Sequence, residues 1–164
     1  MKTKNISIRP ATADDVPLIL QFIRELADYE RLTHEVTATE EKLRATLFGA
    51  RPFAEALIGS IADEPAGFAV FLHNYSTFVA KPGLYLEDLF VRPQFRQRGL
   101  GKALIAAVAR VAVERDCGRY EWSVLDWNTP SIEFYRSLGA EMHADWRRMR
   151  MTGAALHALA QAAP

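Results

Sequence analysis

The chain has 164 residues, of which 49% are apolar, and this size suits one α/β domain with a buried core. Lysine plus arginine and aspartate plus glutamate each number 20, so the zero net charge favours neither nucleic acid nor an anionic membrane as a partner. Cys117 is the single cysteine, which excludes an intrachain disulfide and a thiolate metal cluster and is typical of a reducing compartment. We therefore predict a single domain over residues 1–164 that acts on a small molecule.

The N-terminal residues show no targeting pattern. Met1–Asn5 leads directly into the alternating Ile6–Ile8, without the apolar core of a signal peptide, and no stretch approaches the roughly 18 apolar residues of a membrane span. These features predict a cytoplasmic protein. Because the histidines lack the His-x-x-x-His spacing of a zinc helix, we expect no metal at His34, His73, His143 or His157.

The first half of the chain alternates predicted strands and helices. Ile6–Arg9 is typical of a strand, closed by Pro10. The helix that follows, capped by Thr12 or Asp14, has an apolar stripe at steps of three and four residues, formed by Val16, Ile19, Leu20, Ile23 and Leu26. A second helix is predicted over Thr39–Leu47, and a β-hairpin over Ala54–Ala62 and Gly67–Tyr75 around the turn Asp63–Ala66.

The second half continues the alternation. We predict strands over Leu84–Val91, Tyr120–Val124 and Trp146–Met151, and helices over Gly99–Arg115 and Pro130–Leu138. Prolines and glycines mark the ends of these elements at Arg92-Pro93, Gly118 and Gly139. The alanine-rich tail after Gly153 fits no single interpretation.

Phosphate-binding chemistry is concentrated in Glu87–Lys102, where a strand runs through a basic, glycine-bearing loop into a long helix. A helix N-terminus presents N–H groups and a positive dipole end, so a pyrophosphate can bind there. Gly99 and Gly101 let phosphate oxygens approach the main chain. Positive charge in the same loop comes from Arg96, Arg98 and Lys102.

Spacing excludes two other phosphate motifs in this loop. A P-loop ending at Gly101-Lys102 needs glycine where Arg96 stands and serine or threonine where Ala103 stands. A dinucleotide fingerprint beginning at Gly99 needs a small residue at Leu104. The loop alone is also compatible with an ordinary turn that has a solvated basic rim.

Several motifs, in register, resemble the GNAT superfamily of N-acetyltransferases. Arg96–Gly101 matches its coenzyme A motif, and Asp126–Tyr135 resembles its later motif of asparagine, helix start and tyrosine. The order of further segments is similar to the diamine branch, which includes spermidine/spermine and thialysine acetyltransferases; these segments are Arg9–Thr12, Glu25–Glu30, Tyr85–Asp88, Trp127-Asn128 and Ser131–Tyr135. The resemblance extends from about Ile8 to Met151.

The resemblance implies an α/β fold with a central mixed sheet, splayed between two middle strands, and helices on both faces. It implies acetyl-coenzyme A (acetyl-CoA) as cosubstrate and, from family habit, a homodimer. The strand residues that lend backbone groups to the pantetheine arm are Leu89, Phe90 and Val91. The other implied cofactor-binding residues are Arg96, Gln97, Arg98, Gly99, Leu100, Gly101, Lys102, Asn128 and Ser131.

Direct transfer to an amine needs a group that accepts the ammonium proton and a group that protonates the leaving thiolate. By resemblance these are Glu87 and Tyr135. The implied acceptor-binding residues are Tyr29, Glu30, Glu87, Glu121, Trp122 and Ser123. Glu87 is also compatible with a structural carboxylate, and Tyr135 with an amphipathic aromatic on a helix face. Alternation predicts that Asp88 faces the other side of the sheet in a structural role, and Asn128 could cap the helix after it.

Two departures from the branch bear on the acceptor, and a third lies in the pyrophosphate loop. Tyr75–Phe78 replaces an acidic residue and a tryptophan, and the acids before Trp146 are reduced to Asp145. These changes predict a lysine-like amino acid or short diamine rather than spermine. Gln97 replaces a frequent glycine, which is tolerated if its φ is below zero. Alternatives are an acetyltransferase for a protein N-terminus or an aminoglycoside, a non-catalytic acyl-CoA-binding domain, or a partner-binding module.

Overall fold

The computed structural model describes residues 5–164; the predicted absence of a signal peptide concerns Met1–Lys4, which lie outside these residues. The chain forms two compact units that divide between Ser123 and Val124. The single domain over residues 1–164 stays a prediction. Within the described residues, no helix is long and apolar enough to span a membrane.

Among residues 5–164, the first unit contains five strands and three α-helices, and the second contains two α-helices. The strands are β1 (Ile6–Pro10), β2 (Glu55–Ile61), β3 (Glu64–Ser76), β4 (Lys81–Val91) and β5 (Arg119–Trp122). The helices are α1 (Val16–Tyr29), α2 (Glu40–Leu47), α3 (Leu100–Glu114), α4 (Thr129–Ser137) and α5 (Gly153–Gln161).

The strands form one mixed sheet in chain order. The pairs from β1 to β4 are antiparallel, whereas β4 and β5 are parallel. The predicted hairpin is confirmed, but β3 begins at Glu64 because the turn is made by Ala62 and Asp63, with φ of 51° and 65°. Positive φ at two central residues is the geometry that matches the twist of paired strands.

Helices cover both faces of this sheet, as the predicted fold requires. On one face the apolar stripe of α1 buries Ile19 and Phe22 against β3, and the ring of Phe22 lies 5.3 Å from that of Phe68. On the other face α3 packs so closely that a Cβ at Gly59 would lie 2.8 Å from Leu100 Cδ1. Full burial of an aromatic such as Phe22 contributes roughly 2–3 kcal/mol.

The local cues at the helix ends largely hold. Thr39 caps α2 by accepting a hydrogen bond from the Lys42 amide at 3.2 Å. Thr12 begins a capping box that includes Asp15, and a 3-10 turn over Ala13–Asp15 precedes α1. Gly99 and Gly139, with φ of 91° and 92°, adopt the left-handed conformation that glycine accommodates without strain.

The predicted strand Trp146–Met151 is wrong. Residues 140–152 belong to no helix or strand, although they carry the polar and apolar alternation of a strand. Alternation alone cannot make a strand, because its N–H and C=O groups need a neighbouring chain. The tail after Gly153, which fitted no single interpretation, forms α5.

Candidate active site

A β-bulge in β4 sets the position of Glu87. Leu86 pairs with Phe71 and Asp88 pairs with Val70, so Glu87 is an extra residue that has no partner in the β3–β4 register. A bulge bends its strand and redirects the side chain there. Glu87 is exposed at this bend, whereas Leu86 before it and Phe90 after it are buried.

β4 and β5 part immediately before this bulge. Their parallel pairing runs from Gly83 and Arg119 to Leu86 and Trp122, and within residues 5–164 it goes no further. β4 continues to Val91 while pairing only with β3. Among the described residues, no strand pairs with the edge of Glu87–Val91 that faces away from β3, although the Val91 carbonyl accepts a hydrogen bond from Arg96. The remaining N–H and C=O groups of such an edge can bind an extended ligand.

Three carboxylates lie close together beside the bulge. Burial, together with the negative charges of Glu87 and Glu30, raises the pKa of Asp88 to about 7. Burial also raises the pKa of Glu30, which is the C-cap of α1. A helix C-terminus adds partial negative charge. This cluster has the electrostatic character of a site for a cation.

The structural role that alternation predicted for Asp88 stays a prediction, and the surroundings of this carboxylate are unusual for that role. It alternates with Phe90, whose ring lies 6.3 Å from that of Phe22, and so shares the face covered by α1. A structural carboxylate needs donors, but no ion pair among residues 5–164 includes Asp88. The bulge and the approach of Glu30 leave no periodic pattern, so the sequence did not indicate the raised pKa of Asp88.

The loop after β4 leads to the N-terminus of α3. Gly99 is the N-cap and has no side-chain acceptor, so it leaves the first N–H groups of the helix to other partners. A Cβ at Gly99 would meet only Ile6 Cδ1, at 3.7 Å. Arg98 and Lys102 are exposed here. Open amides, an approachable backbone and two cations fit the pyrophosphate of a coenzyme A ligand.

Gln97 does not meet the condition under which it would replace glycine without cost. That condition was a φ below zero, and Gln97 has φ of 59°. The left-handed conformation costs a non-glycine residue roughly 1–2 kcal/mol. The loop imposes this geometry, and the glycine that often occupies the position would adopt it without that cost.

Arg96 and Tyr29 contact each other between the loop and α1. Arg96 Cζ lies 4.5 Å from the centroid of the Tyr29 ring, and Arg96 Nε donates to the Val91 carbonyl at 2.9 Å. Tyr29 also lines, with Asp28 and Phe90, a groove of about 510 Å³ beside α1. The predicted acceptor residue Tyr29 and the predicted cofactor residue Arg96 are therefore neighbours.

The end of β5 brings the predicted wall residues beside β4. Ser123 Oγ lies 2.8 Å from the hydroxyl of Tyr85, and Glu121 accepts a hydrogen bond from Asn74 at 3.2 Å. The ring of Trp122 lies 5.0 Å from that of Tyr120. Sequence reasoning did not anticipate the contact of Tyr85, because only the strand register brings residue 85 next to residue 123.

The second unit carries the remaining predicted residues on or beside α4. Asn128 is buried and is the N-cap residue of α4, as the capping interpretation predicted, although its side chain makes no capping hydrogen bond. Ser131 and Tyr135 are half-buried on α4, one turn apart. The ring of Tyr135 lies 5.4 Å from that of Phe134.

No group of three or more histidine, cysteine, aspartate or glutamate side chains in the described chain is arranged to hold a metal ion. Cys117, between α3 and β5, is half-buried and has a free thiol.

Comparison with known proteins identifies relatives that match nearly the whole chain. A thialysine N-epsilon-acetyltransferase of Sus scrofa is 36% identical over 167 residues, covering 95% of this chain and 98% of the relative. An L-ornithine N5-acetyltransferase of Arabidopsis thaliana is 36% identical over 197 residues, covering 93% of this chain and 86% of the relative.

Solved structures share the fold. An integron cassette protein from V. cholerae has a TM-score of 0.79 at 23% identity and covers 96% of this chain and 98% of its own. An aminoglycoside acetyltransferase from a soil metagenome has a TM-score of 0.75 at 19% identity, with coverages of 90% and 97%. The family model described as Acetyltransferase (GNAT) family matches residues 20–140. The predicted fold and enzyme class are confirmed, and the chain belongs to the acetyltransferase (GNAT) family.

Proposed function

We propose that this protein transfers the acetyl group of acetyl-CoA directly to the amine of a small, lysine-like amino acid or short diamine. The observation that carries the proposal is the cluster of Glu30, Glu87 and Asp88, which lies where β4 separates from β5. The same strand leads into the loop that opens α3. A cation site and a phosphate site thus lie at opposite ends of one short stretch of chain.

The residues proposed to bind acetyl-CoA fall into two sets. The open edge of β4 offers backbone groups to the pantetheine arm from Leu89, Phe90 and Val91. The loop and the start of α3 offer N–H groups and charge to the pyrophosphate from Arg96, Gln97, Arg98, Gly99, Leu100, Gly101 and Lys102, and the second unit adds Asn128 and Ser131. Acetyl-CoA supplies an activated acyl thioester when it is bound.

Glu87 and its neighbours are proposed to bind the ammonium and take its proton. A primary amine with a pKa near 10 is protonated at neutral pH and cannot attack a thioester. Glu87 is exposed at the bulge and can accept that proton through water, while Asp88 and Glu30 increase the negative potential. Tyr135 is proposed as the general acid for the coenzyme A thiolate.

A short acceptor suits this distribution of charge. Each ammonium of a polyamine must exchange water for protein, which requires a row of carboxylates. Among the described residues, the carboxylates whose charges affect the pKa of another carboxylate lie together at Asp88, Glu87 and Glu30. β3 ends at Ser76, in the segment where the branch carries an acidic residue. Tyr29, Glu121, Trp122 and Ser123 would form the wall of the site. The thialysine and ornithine acetyltransferases among the relatives support the same acceptor class.

We also propose a cytoplasmic homodimer. Trp146 and Met149 are 78% and 90% exposed in a segment that belongs to no helix or strand, and a second copy would cover such side chains. The single cysteine Cys117, which is free, fits a reducing compartment. Light scattering at micromolar protein tests the dimer, and the mass of a monomer would contradict it.

Release of coenzyme A from acetyl-CoA, measured with a panel of amines, tests the function. We expect kcat/KM to be highest for thialysine, ornithine or putrescine, lower for spermine and negligible for an aminoglycoside or an N-terminal peptide. The variant Tyr135→Phe serves as the control for the chemical step and should lose roughly a hundredfold in kcat. A preference for spermine would contradict the acceptor class, and no release with any amine would contradict the function.

A further inference from the structure

Arg96 has two contacts that a phosphate-binding arginine does not require. Its Nε donates to the carbonyl of Val91, the last residue of β4, at 2.9 Å. Its guanidinium lies over the ring of Tyr29, the last residue of α1, at 4.5 Å, and within 5.9 Å of the Phe90 ring. The side chain thus joins the ends of a strand and a helix that are distant in sequence.

The position of Arg96 in the chain gives these contacts a functional meaning. Gln97, the next residue, begins the part of the loop with positive φ, and Gly99 is the N-cap of α3. Tyr29 directly precedes Glu30, whose charge raises the pKa of Asp88. Arg96 therefore connects the loop proposed for pyrophosphate to the residues proposed for the ammonium.

We propose that Arg96 is a positioning residue that holds Tyr29, and through it Glu30, in place for the amine. The inference rests on the proposed function, because it assigns Arg96 to the amine as well as to the cofactor loop. The guanidinium group is planar, so it can stack on a ring while its Nε–H, which lies in the guanidinium plane, donates a hydrogen bond. The ammonium of lysine cannot make both contacts in this way. Arginine is therefore required, and positive charge alone is not sufficient.

Arg98 provides a matched control in the same loop. Its Cζ lies 5.5 Å from the Phe95 ring, so it is also an arginine over an aromatic ring. Arg98 is exposed, however, and Phe95 belongs to the 3-10 turn after β4 rather than to α1. Arg98→Lys should change the affinity for acetyl-CoA and leave the amine KM unaltered.

The first experiment measures amide hydrogen exchange in the ligand-free protein and needs no activity. The amides of Glu30 and Leu32 donate to carbonyls of α1 at 2.9 and 2.8 Å, so they report opening of this helix end. In Arg96→Lys we expect both to exchange about threefold faster, the scale of one lost cation–π contact. In Arg98→Lys we expect no change at these amides.

The second experiment measures steady-state kinetics with thialysine at saturating acetyl-CoA. We expect Arg96→Lys to raise the amine KM about threefold or more, with a smaller change in kcat. Tyr29→Leu should have a similar effect, and the double variant should be no worse than the more affected single variant, because both remove one contact.

The outcomes separate this inference from the proposed function. Unchanged exchange at Glu30 and Leu32 in Arg96→Lys, or additive effects in the double variant, would overturn the role of Arg96 while acetylation by the wild type stood. If the wild type acetylates no amine, the proposed function fails, and the exchange comparison still decides whether Arg96 holds the end of α1.

Discussion

Two aspartates of the first unit, Asp15 and Asp88, have little exposed surface but opposite electrostatic surroundings. Asp15 receives both Nη groups of Arg9 at 2.7 Å and the amide of Thr12 at 2.7 Å. The hydrogen bonds from Arg9 are the main reason that the pKa of Asp15 is lowered to about 2. Asp88 has carboxylate neighbours instead, and burial with their charge raises its pKa to about 7.

The contrast distinguishes a carboxylate that stabilises the fold from one that is available for a ligand. Asp15 is satisfied by protein donors at the start of α1, so ionisation there strengthens the native state. No cation of the described chain compensates the negative charge of ionised Asp88. A bound ammonium would therefore reduce the free-energy cost of burying that charge. A carboxylate with a perturbed pKa therefore indicates a functional site only when no cation or hydrogen-bond donor of the protein compensates its negative charge.

The largest effect is expected for Glu87, the residue of the acidic cluster that is proposed to accept the proton of the amine. Glu87→Gln keeps the size of the side chain but removes the proton acceptor, so we expect kcat/KM for thialysine to fall about a hundredfold. Asp15→Asn is the matched control, because the same change of carboxyl to amide should leave kcat/KM near the wild-type value. Coenzyme A release measures both, and a Glu87→Gln value within about twofold of wild type would show that another group accepts the proton.

The next effect concerns stability as a function of pH. Because the folded pKa of Asp88 is raised, the native state holds a proton that the unfolded chain loses above pH 4, so stability falls as pH rises from about 4 to about 7. The difference between the folded and unfolded pKa corresponds to a loss of stability of roughly 4 kcal/mol at most. Relaxation of the protein around the charge reduces this loss to about 2 kcal/mol. Asp88→Asn should therefore be more stable than the wild type at pH 8.

Urea unfolding at pH 4 and pH 8 measures this difference. The free energies of unfolding of the two proteins should differ much less at pH 4, where the wild-type carboxyl is protonated in the native state and about half protonated in the unfolded chain. Thialysine should also stabilise the wild type more than Asp88→Asn at pH 8, because the ammonium then compensates the charge. Equal pH profiles for the two proteins would mean that solvent already compensates Asp88.

Asp15 should show the opposite sign. Its lowered folded pKa contributes stability that is present above pH 4 and lost as pH falls towards 2. Asp15→Asn should therefore reduce the free energy of unfolding at pH 7 by about 1–2 kcal/mol, a value discounted because Arg9 is half exposed. The deficit should shrink in acid, and a deficit that is constant from pH 7 to pH 2 would exclude the ion pair as its cause.

The sequence predicted the elements with strong periodicity and the loop with strong local chemistry. The apolar stripe of α1 and the alternation in the strands that flank residues 62–63 are local patterns. The sequence alone therefore predicted these elements. The glycine-bearing loop before α3 was located from specific residue types at fixed spacing, and its role in phosphate binding stays a prediction. Other features depend on tertiary contacts and leave no local pattern in the sequence.

Three features depended on partners distant in sequence. The bulge at Glu87 leaves no mark in the sequence of β4, and it is visible only in the register with β3. Positive φ at Gln97 is imposed by the loop against the preference of the residue. The segment around Trp146 has the alternation of a strand but no strand partner in the described chain, so its pattern led to a wrong prediction.

The smallest effect tests how the stabilisation of Asp15 is divided between Arg9 and Thr12. Arg9 binds the carboxylate with two parallel hydrogen bonds, and a lysine can supply only one. Thr12 keeps its amide hydrogen bond in Arg9→Lys, so we expect a loss of only about 0.5 kcal/mol at pH 7 for this half-exposed pair. The pKa of Asp15, measured by NMR titration, should rise from about 2 but stay below that of an ordinary aspartate. If Arg9→Lys instead costs as much as Asp15→Asn, the paired guanidinium supplies all of the stabilisation and the capping contact of Thr12 supplies none.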